Sequence, residues 1–305
     1  MSGLARHNRW ADQPIEPSLS SPVTLADFPL ALASSTDFPS VLRRISPPVK
    51  ALWHRGRLPG AAPALAIVGA RGASRAGCRR TQELAEMLSL RGYTIVSGGA
   101  LGIDAAAHRG ALEAGGPTFA VLGCGVDVVY PDRHGPLFEE IAGSPAGGLL
   151  SEFPPGTPPR GKQFPSRNRI VAALAQGVVV VEAQARSGAL VTARLARAFE
   201  RPIYAVPGTA GTDGLLAAGW AQPVRDGAEL LAALAGERLP AEPPPAELEP
   251  LLFAAQGGGT AVELAARLSI SLPATLALLS EAELGGWILK GAGGVFKKIE
   301  VTRGN

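Results

Sequence analysis

Short apolar runs alternate with stretches of helical periodicity between residues 60 and 235. Most of the runs are rich in β-branched residues, and the segments between them, such as RRTQELAEMLSLRG, repeat apolar positions at helical spacing. This alternation predicts an α/β domain whose parallel sheet carries helices on both faces. The predicted strands lie in the runs ALAIV, YTIVS, TFAVL, GLLSEF, GVVVVEA and PIYAVP.

The segments on either side of this region differ from it in composition. Residues 1–50 are rich in Pro and Ser with only short apolar patches, which favours a short helical N-terminal segment. Residues 236–249 have the composition of a Pro- and Glu-rich linker. Residues 250–305 follow the pattern helix, turn, helix and two short strands, which is typical of a small winged-helix-like domain. The central domain is therefore expected over 51–235.

The composition does not indicate a secreted or membrane protein. The polar amino end, MSGLARHNRWADQPIEP, lacks the apolar core of a signal peptide, and Gln176 and Gly177 interrupt the longest apolar stretch. The two cysteines, Cys78 and Cys124, supply neither a disulfide framework nor a metal cluster, so they are expected to be small packing residues. We expect a cytoplasmic protein with no membrane contact and no bound metal.

Basic residues are distributed unevenly, although the net charge is only +3. No Asp or Glu occurs from Phe38 to Gln82, a span that holds nine Lys and Arg, and none occurs from Phe153 to Val181. A local excess of positive charge favours a polyanionic partner, whereas most such runs are simply solvated faces.

Loops of small residues follow three of the predicted strands. These loops are 69–74 (GARGAS), 97–102 (SGGALG) and 184–188 (QARSG), and each leads into a predicted helix. Ligands of an open parallel sheet bind at the carboxyl ends of its strands, where unhindered N–H groups and helix amino ends can hold an anion. The alternative for each loop is a tight connection that needs glycine only for its geometry.

A fourth candidate anion site lies in the segment FPSRNRI. Arg167, Asn168 and Arg169 stand near the start of a predicted helix, after Arg160 and Lys162. Cations there oppose the helix dipole, and an anion held between the arginines and the N–H groups would explain their position. Four separated anion sites along one sheet edge fit a chain of phosphates, which favours single-stranded nucleic acid as the ligand.

The loops do not match the motifs of nucleotide-binding proteins. The first loop lacks the G-x-G-x-x-G spacing, and the second strand ends at Ser97 rather than at an acidic residue. The Gly161-Lys162 pair is followed by Gln163 and so does not complete a phosphate-binding P-loop. No cofactor is therefore expected.

The sequence also lacks a recognisable catalytic set. Asp104 and His108 are four residues apart on a predicted helix and could share a metal or a proton, but a surface pair or a satisfied histidine is the commoner role. His134 has no evident partner, and Glu182 is expected to orient backbone or arginine groups rather than to act as a base. Limited base stacking is expected, because the aromatic residues near this edge are few: Tyr130, Phe153 and Phe164.

Six segments between Ala51 and Gly208 stand in a characteristic order. They are IVGARGASRAG, IVSGGALGIDAAAHRGAL, VLGCGVDVVYP, LLSEFPPGT, FPSRNRIVAALA and VVVVEAQARSGALVTARLARAFERPIYAVPG. In order and spacing they resemble the DprA (Smf) family of DNA-processing proteins. The resemblance implies an extended Rossmann-like parallel sheet with helices on both faces, and no enzymatic activity.

The same resemblance implies a function and a set of partners. Proteins of this family bind single-stranded DNA in natural transformation, protect the incoming DNA, load RecA onto it and act as homodimers. The dimer interface is expected near the last strand-helix unit of the central domain, at about residues 215–231, because the apolar run GLLAAGWA there contains Trp220. Matched residue by residue, the DNA pocket of the family falls on Arg71, Ser74, Ser97, Gly98, Gly99, Lys162, Arg167, Asn168, Arg169, Ser187 and Gly188.

Two other classes of function stay open. A nucleotide-processing enzyme could use a similar Rossmann-like fold, but enzymes that release bases from nucleoside monophosphates carry a P-G-G-x-G-T-x-x-E loop. The corresponding segment here, PGTAGTDG, has no glutamate in register. A protein-interaction scaffold would bind no nucleic acid, so salt-dependent binding of oligonucleotides distinguishes it from the leading interpretation.

Overall fold

The structure of the protein is a computed structural model that describes residues 28–235, 246–284, 288–290 and 294–298. The chain divides into two compact units between Gly227 and Ala228. Residues 1–27 of the predicted helical segment, and residues 236–245 of the predicted linker, lie outside the described residues.

A nine-stranded sheet forms the centre of the first unit. The strands are Leu30–Leu32 (β1), Ala51–Gly56 (β2), Ala64–Val68 (β3), Thr94–Ser97 (β4), Thr118–Val121 (β5), Gly148–Ser151 (β6), Gly177–Val180 (β7), Ile203–Ala205 (β8) and Gln222–Pro223 (β9). Their order is β1-β2-β6-β5-β4-β3-β7-β8-β9. Neighbours from β6 to β9 are parallel, and β1, β2 and β6 pair antiparallel. The six predicted runs hold β3 to β8, which confirms the α/β class.

Helices cover both faces of the sheet. The parallel strands present apolar side chains on both faces, and the helices bury them. The helices are Arg75–Leu90 (α1), Ile103–Glu113 (α2), Gly135–Gly143 (α3), Gln163–Leu174 (α4), Gly188–Ala198 (α5) and Ala210–Ala217 (α6). Strand β5 shows the alternation that a strand requires. Phe119 and Val121 belong to one buried cluster with Ile170 of α4, whereas Ala120 between them belongs to another with Phe138 of α3.

The described part of the predicted N-terminal segment continues the sheet. Residues 28–50 hold β1 and one short 3-10 helix, Ser40–Arg43, in place of an α-helical segment. Phe38 and Leu42 are buried in the same cluster as Ile170 of α4, so this stretch packs as part of the first unit. Its apolar patches were too short to predict a strand, because β1 has only three residues.

The second unit contains helices and a small antiparallel sheet. Its elements are Gly227–Leu234 (α7), a 3-10 helix Ala246–Leu248, Glu249–Ala254 (α8), Gly259–Thr260 (β10), Ala261–Leu268 (α9), Leu272–Leu284 (α10), Ile288–Lys290 (β11) and Val295–Lys298 (β12). The strand order is β10-β12-β11. Thr260 and Glu263 form a reciprocal capping box at the start of α9, and Leu264 packs with Leu279 and Phe296. The assignment of this unit as a winged helix stays a prediction.

Within the described residues, no single helix is long and apolar enough to cross a bilayer. Helices α9 and α10 reach the necessary length and apolar composition only as a pair, which is bent by 109° at its junction.

Candidate nucleic-acid interface

A cleft of about 580 Å³ opens at the carboxyl ends of β3, β4 and β7. Strand β3 lies between β4 and β7, so the chain order reverses at this point, where open α/β sheets bind their ligands. The cleft unites parts of the four predicted anion sites, since it is lined by Arg71, Gly98, Arg167, Asn168, Ser187 and Gly188. Gly99 lines an adjoining cavity of about 60 Å³. The predicted residues that line neither space are Ser74, Ser97, Lys162 and Arg169.

An internal carboxylate already occupies the amino end of α1. Glu182, which follows β7, accepts hydrogen bonds from the Ser74 backbone N–H at 2.9 Å and from the Ser74 hydroxyl at 2.6 Å. The same hydroxyl accepts from the Gly77 N–H at 2.9 Å and so caps the helix. The negative charge of Glu182 therefore takes the place predicted for a ligand anion. Glu182 orients backbone groups, as the sequence predicted.

Gly77 and Gly188 both lie in helices, and we expect an added methyl group to affect the stability of the protein differently at the two positions. A Cβ at Gly77 would lie 2.2 Å from Glu182 Oε1, whereas a Cβ at Gly188 would meet no atom within 4 Å. We expect Gly77→Ala to lower the free energy of unfolding by about 1 to 3 kcal/mol, because it displaces the carboxylate from Ser74. Gly188→Ala is expected to leave that free energy unchanged or raise it by about 0.5 kcal/mol. Urea denaturation of both variants measures the difference, and equal stabilities would contradict the Glu182 contact.

Polar side chains hold residues 98–102 of the second loop from inside the protein. Asp104 Oδ2 accepts from the N–H groups of Gly98 at 3.1 Å and Ala100 at 3.3 Å. His134 Nδ1 bonds to the Gly99 carbonyl at 2.9 Å, which supplies the partner that the sequence did not reveal. The loop is therefore held in position by internal groups. Ser97 is also engaged internally, since its buried hydroxyl donates to the Ile67 carbonyl at 2.6 Å.

Arg167 and Arg169 are both buried and bonded to internal groups, and Arg167 also lines the cleft. Arg167 is 5% exposed, and its Nη1 donates to the Gly98 carbonyl at 2.5 Å and to the Val121 carbonyl. Arg169 is 6% exposed, and its Nη2 bonds to both carboxylate oxygens of Glu152, at 2.5 and 2.7 Å. Helix α4 begins at Gln163, so both arginines lie beyond its first turn and do not need an external anion to offset the helix dipole.

Burial shifts the pKa values of Arg167 and Asp104 towards their neutral forms. Desolvation lowers the pKa of Arg167 to about 10, and the neighbouring carboxylate of Asp104 opposes this shift. Desolvation likewise raises the pKa of Asp104, while Arg167 and the N–H groups of the second loop counteract the shift. At neutral pH the guanidinium of Arg167 therefore stays charged, and it stabilises the loop that borders the cleft.

The amino ends of α4 and α5 differ from that of α1, because no carboxylate of the described residues is hydrogen-bonded to them. At α5 the Ser187 hydroxyl accepts from the Ala189 N–H at 3.3 Å, and at α4 the N-cap residue Lys162 makes no side-chain cap bond. Both ends border the cleft through glycines, Gly161 and Gly188, where an added Cβ would meet no atom within 4 Å. A ligand anion can therefore approach the backbone at these two ends.

Positive charge and aromatic rings surround the mouth of the cleft. The guanidinium of the exposed Arg71 lies 5.4 Å from the centre of the Phe164 ring, and the centre of the Tyr130 ring lies 5.5 Å from that of Phe164. Lys162 and Arg186 are exposed and carry further positive charge on the loops that lead into α4 and α5. Tyr130 and Phe164 are distant in sequence and meet in the fold, and the expectation of limited base stacking stays a prediction.

Asp104 and His108 do not form the pair that their spacing allows. Asp104 bonds to the second loop, whereas His108 Nδ1 bonds to the Thr118 hydroxyl at 2.8 Å. Since that hydroxyl donates to the Ile95 carbonyl, it accepts from His108, which is thus the Nδ1–H tautomer. The described residues contain no group of three His, Cys, Asp or Glu side chains that could hold a metal ion.

The burial of His108 makes the stability of the protein depend on pH. Desolvation first, and then the positive groups His134, Arg167 and Arg109, lower the pKa of His108 from 6.5 to about 3. The unfolded chain therefore binds a proton between these pH values that the folded chain does not, and the free energy of unfolding falls as pH falls through this window. The expected slope is roughly 1.4 kcal/mol per pH unit for this one group.

A comparison of the wild-type protein with His108→Gln isolates this contribution. Urea denaturation from pH 7 to pH 4 is expected to give a steeper loss of stability in the wild type, because the variant lacks the titrating imidazole. The other acidic and basic groups titrate in both proteins and cancel in the difference. Parallel pH profiles would show that His108 is not a buried neutral base.

Comparisons with known sequences agree on the family that residues 30–235 resemble. A model of the family described as DNA recombination-mediator protein A matches residues 30–235. Protein Smf from Synechocystis sp. is 42% identical over 200 residues, which are 64% of this chain and 49% of that protein. DNA processing protein DprA from Streptococcus pneumoniae is 41% identical over 169 residues, 55% of this chain and 58% of that protein. The chain spans about half the length of the first curated relatives it matches.

Solved structures share the fold of the first unit. The X-ray structure of DprA from Streptococcus pneumoniae matches with a TM-score of 0.63 and 36% identity, over 68% of this chain and 75% of that one. A DprA structure from Helicobacter pylori, described as revealing a unique single-stranded DNA binding mode, matches with a TM-score of 0.61 and 30% identity, over 68% and 97% of the chains. Since the family model covers well over half of the residues, the chain belongs to the DNA recombination-mediator protein A family.

Proposed function

We propose that the protein binds single-stranded DNA in the cleft and catalyses no reaction on it. The observation that carries this proposal is that two helix amino ends free of internal carboxylates, those of α4 and α5, open into one cleft. Backbone phosphates would bind at these ends, close to Arg71 and Lys162. Bases would stack against the aromatic pair Tyr130 and Phe164, as is common in single-strand binding.

The second part of the proposal concerns the role of this binding. In keeping with its family, the protein would act in the cytoplasm as a recombination mediator that protects incoming DNA during natural transformation and loads RecA onto it. It would do so as a homodimer. Trp220, which is 37% exposed with the guanidinium of Arg197 4.0 Å from its ring centre, supports an interface on that surface.

Titration of fluorescently labelled oligonucleotides tests the binding proposal. Fluorescence anisotropy at several salt concentrations is expected to show that single strands bind more tightly than duplexes, with an affinity that falls as salt rises. An undetectable or salt-independent interaction would contradict the proposal and favour a scaffold without nucleic acid.

The alternative function is that of a nucleotide-processing enzyme, and it has a separate test. The protein is incubated with nucleoside monophosphates and the release of free bases is measured by chromatography. We expect no release of bases. The buried His108 and His134 bond to internal groups, and among the described residues that line the cleft no nucleophile is hydrogen-bonded to a general base. Measurable hydrolysis that is lost in an Asp104→Asn variant would reverse this conclusion.

A further inference from the structure

Three exposed arginines lie on the first two turns of α1, outside the cleft. They are Arg75, Arg79 and Arg80, and together they form what is here termed the α1 arginine row. Within the described residues, none of them makes an ion pair or a side-chain hydrogen bond. The row therefore presents three unpaired positive charges to solvent.

The position of the row is electrostatically unfavourable for the isolated helix. No acidic residue occurs in the first turn of α1, and the Glu182 carboxylate at its amino end bonds to Ser74 and to none of the three arginines. Arg75 and Arg79 are also four residues apart, where like charges repel each other. Glu83, one turn beyond Arg79, is exposed and forms no ion pair with it. A bound polyanion would offset the repulsion between these unpaired cations.

The α1 arginine row closely follows a residue of the cleft in the sequence. Arg71 lines the cleft, and the loop that carries it leads directly into α1, which begins at Arg75. Four residues of α-helix advance about 6 Å along the axis, so Arg75 and Arg79 can each meet one of two successive phosphates of an extended strand. No aromatic residue lies between Arg71 and Arg80, so this surface offers charge without a platform for bases.

We propose that the α1 arginine row is a second nucleic-acid contact site, along which the phosphodiester backbone of a single strand continues after it leaves the cleft at Arg71. This inference rests on the proposed function of the cleft. The row contacts phosphates only, so it adds affinity for longer strands without preference for base sequence. A strand short enough to lie within the cleft does not reach it.

The test compares two strand lengths and two pairs of substitutions. Single strands of about 4 and about 16 nucleotides, the two ends of the range of known single-strand sites, are titrated by anisotropy at several salt concentrations. The test variant is Arg75→Gln with Arg79→Gln. The control variant, Arg44→Gln with Arg91→Gln, removes the same charge from two exposed arginines that do not line the cleft. Circular dichroism and urea denaturation verify that both variants are folded.

The expected result is a loss confined to the longer strand. For about 16 nucleotides, the salt slope of the test variant falls by about 1.4, at about 0.7 per lost phosphate contact, and its affinity at 0.1 M salt falls about 25-fold. The shorter strand binds as it does to the wild type, and the control variant changes neither. An unchanged slope for the longer strand, or an equal loss for both lengths, overturns the inference.

The outcome also separates this inference from the function on which it rests. If Arg71→Ala weakens both strands while the test variant binds both like the wild type, the cleft is correct and the row is not. If Arg71→Ala has no effect on either strand, the cleft assignment itself fails, and the inference fails with it.

Discussion

The Arg167→Ala protein is expected to unfold with a free energy about 3 to 5 kcal/mol below that of the wild type. Arg167 is buried, donates to the carbonyls of Gly98 and Val121, and lies beside the buried carboxyl group of Asp104. Removal of the guanidinium leaves the carbonyls of Gly98 and Val121 without this donor and an acidic group without its compensating charge. Any loss of DNA binding in this variant is therefore compared with its loss of stability, because Arg167 both holds the loop and lines the cleft.

Urea denaturation measures this loss, and Lys162→Ala provides the matched control. Lys162 also belongs to the predicted DNA site but is exposed, so its substitution is expected to change the free energy of unfolding by less than about 0.5 kcal/mol. An Arg167→Lys protein, which keeps the charge but not the planar donor group, is expected to have intermediate stability. If Arg167→Ala is as stable as Lys162→Ala, its internal contacts do not hold the loop.

The double variant Arg71→Ala with Lys162→Ala is expected to bind single-stranded DNA about 25-fold more weakly at 0.1 M salt. Both side chains are exposed at the cleft mouth, and each would neutralise one phosphate, so the salt slope should fall by about 1.4 in total. Stability should be unchanged, because neither residue donates a hydrogen bond to the protein interior. The cation–π contact of Arg71 with Phe164 is also lost, which adds only a small effect at an exposed site.

Anisotropy titrations at four or more salt concentrations give both the affinity and the slope. The Arg44→Gln and Arg91→Gln protein serves again as the control, because it loses two exposed charges that do not line the cleft. An unaltered slope in the Arg71 and Lys162 variant would mean that phosphates bind elsewhere.

The central sheet was predictable because its strands are buried on both faces. Each run from ALAIV to PIYAVP is mostly apolar, a pattern typical of buried parallel strands, and every residue of β3 to β8 is buried. The carboxyl ends of such strands lie on one edge by topology, so the strand pattern alone places the three small-residue loops near one another. The short strand β1 lacks this signal, because only Ala31 of its three residues is buried.

The state of each candidate site could not be predicted, because it depends on contacts between distant parts of the chain. Glu182 reaches Ser74 across 108 residues, and Arg167 reaches Gly98 across 69. Sequence spacing placed these groups near one edge but could not show that they satisfy each other. The argument that predicted an anion at four helix ends therefore applies only to the amino ends of α4 and α5, which have no hydrogen bond to an internal carboxylate of the described residues.

The two outermost strands of the large sheet are short, and this affects how the protein behaves when it is concentrated. Strand β1 has three residues and β9 has two, one of which, Pro223, has no N–H group to donate. Neither edge offers a run of unpaired backbone groups long enough to template a strand from another molecule. Within the described residues, edge-to-edge pairing of the large sheet with another molecule is therefore disfavoured, and contacts between molecules would rely on side chains.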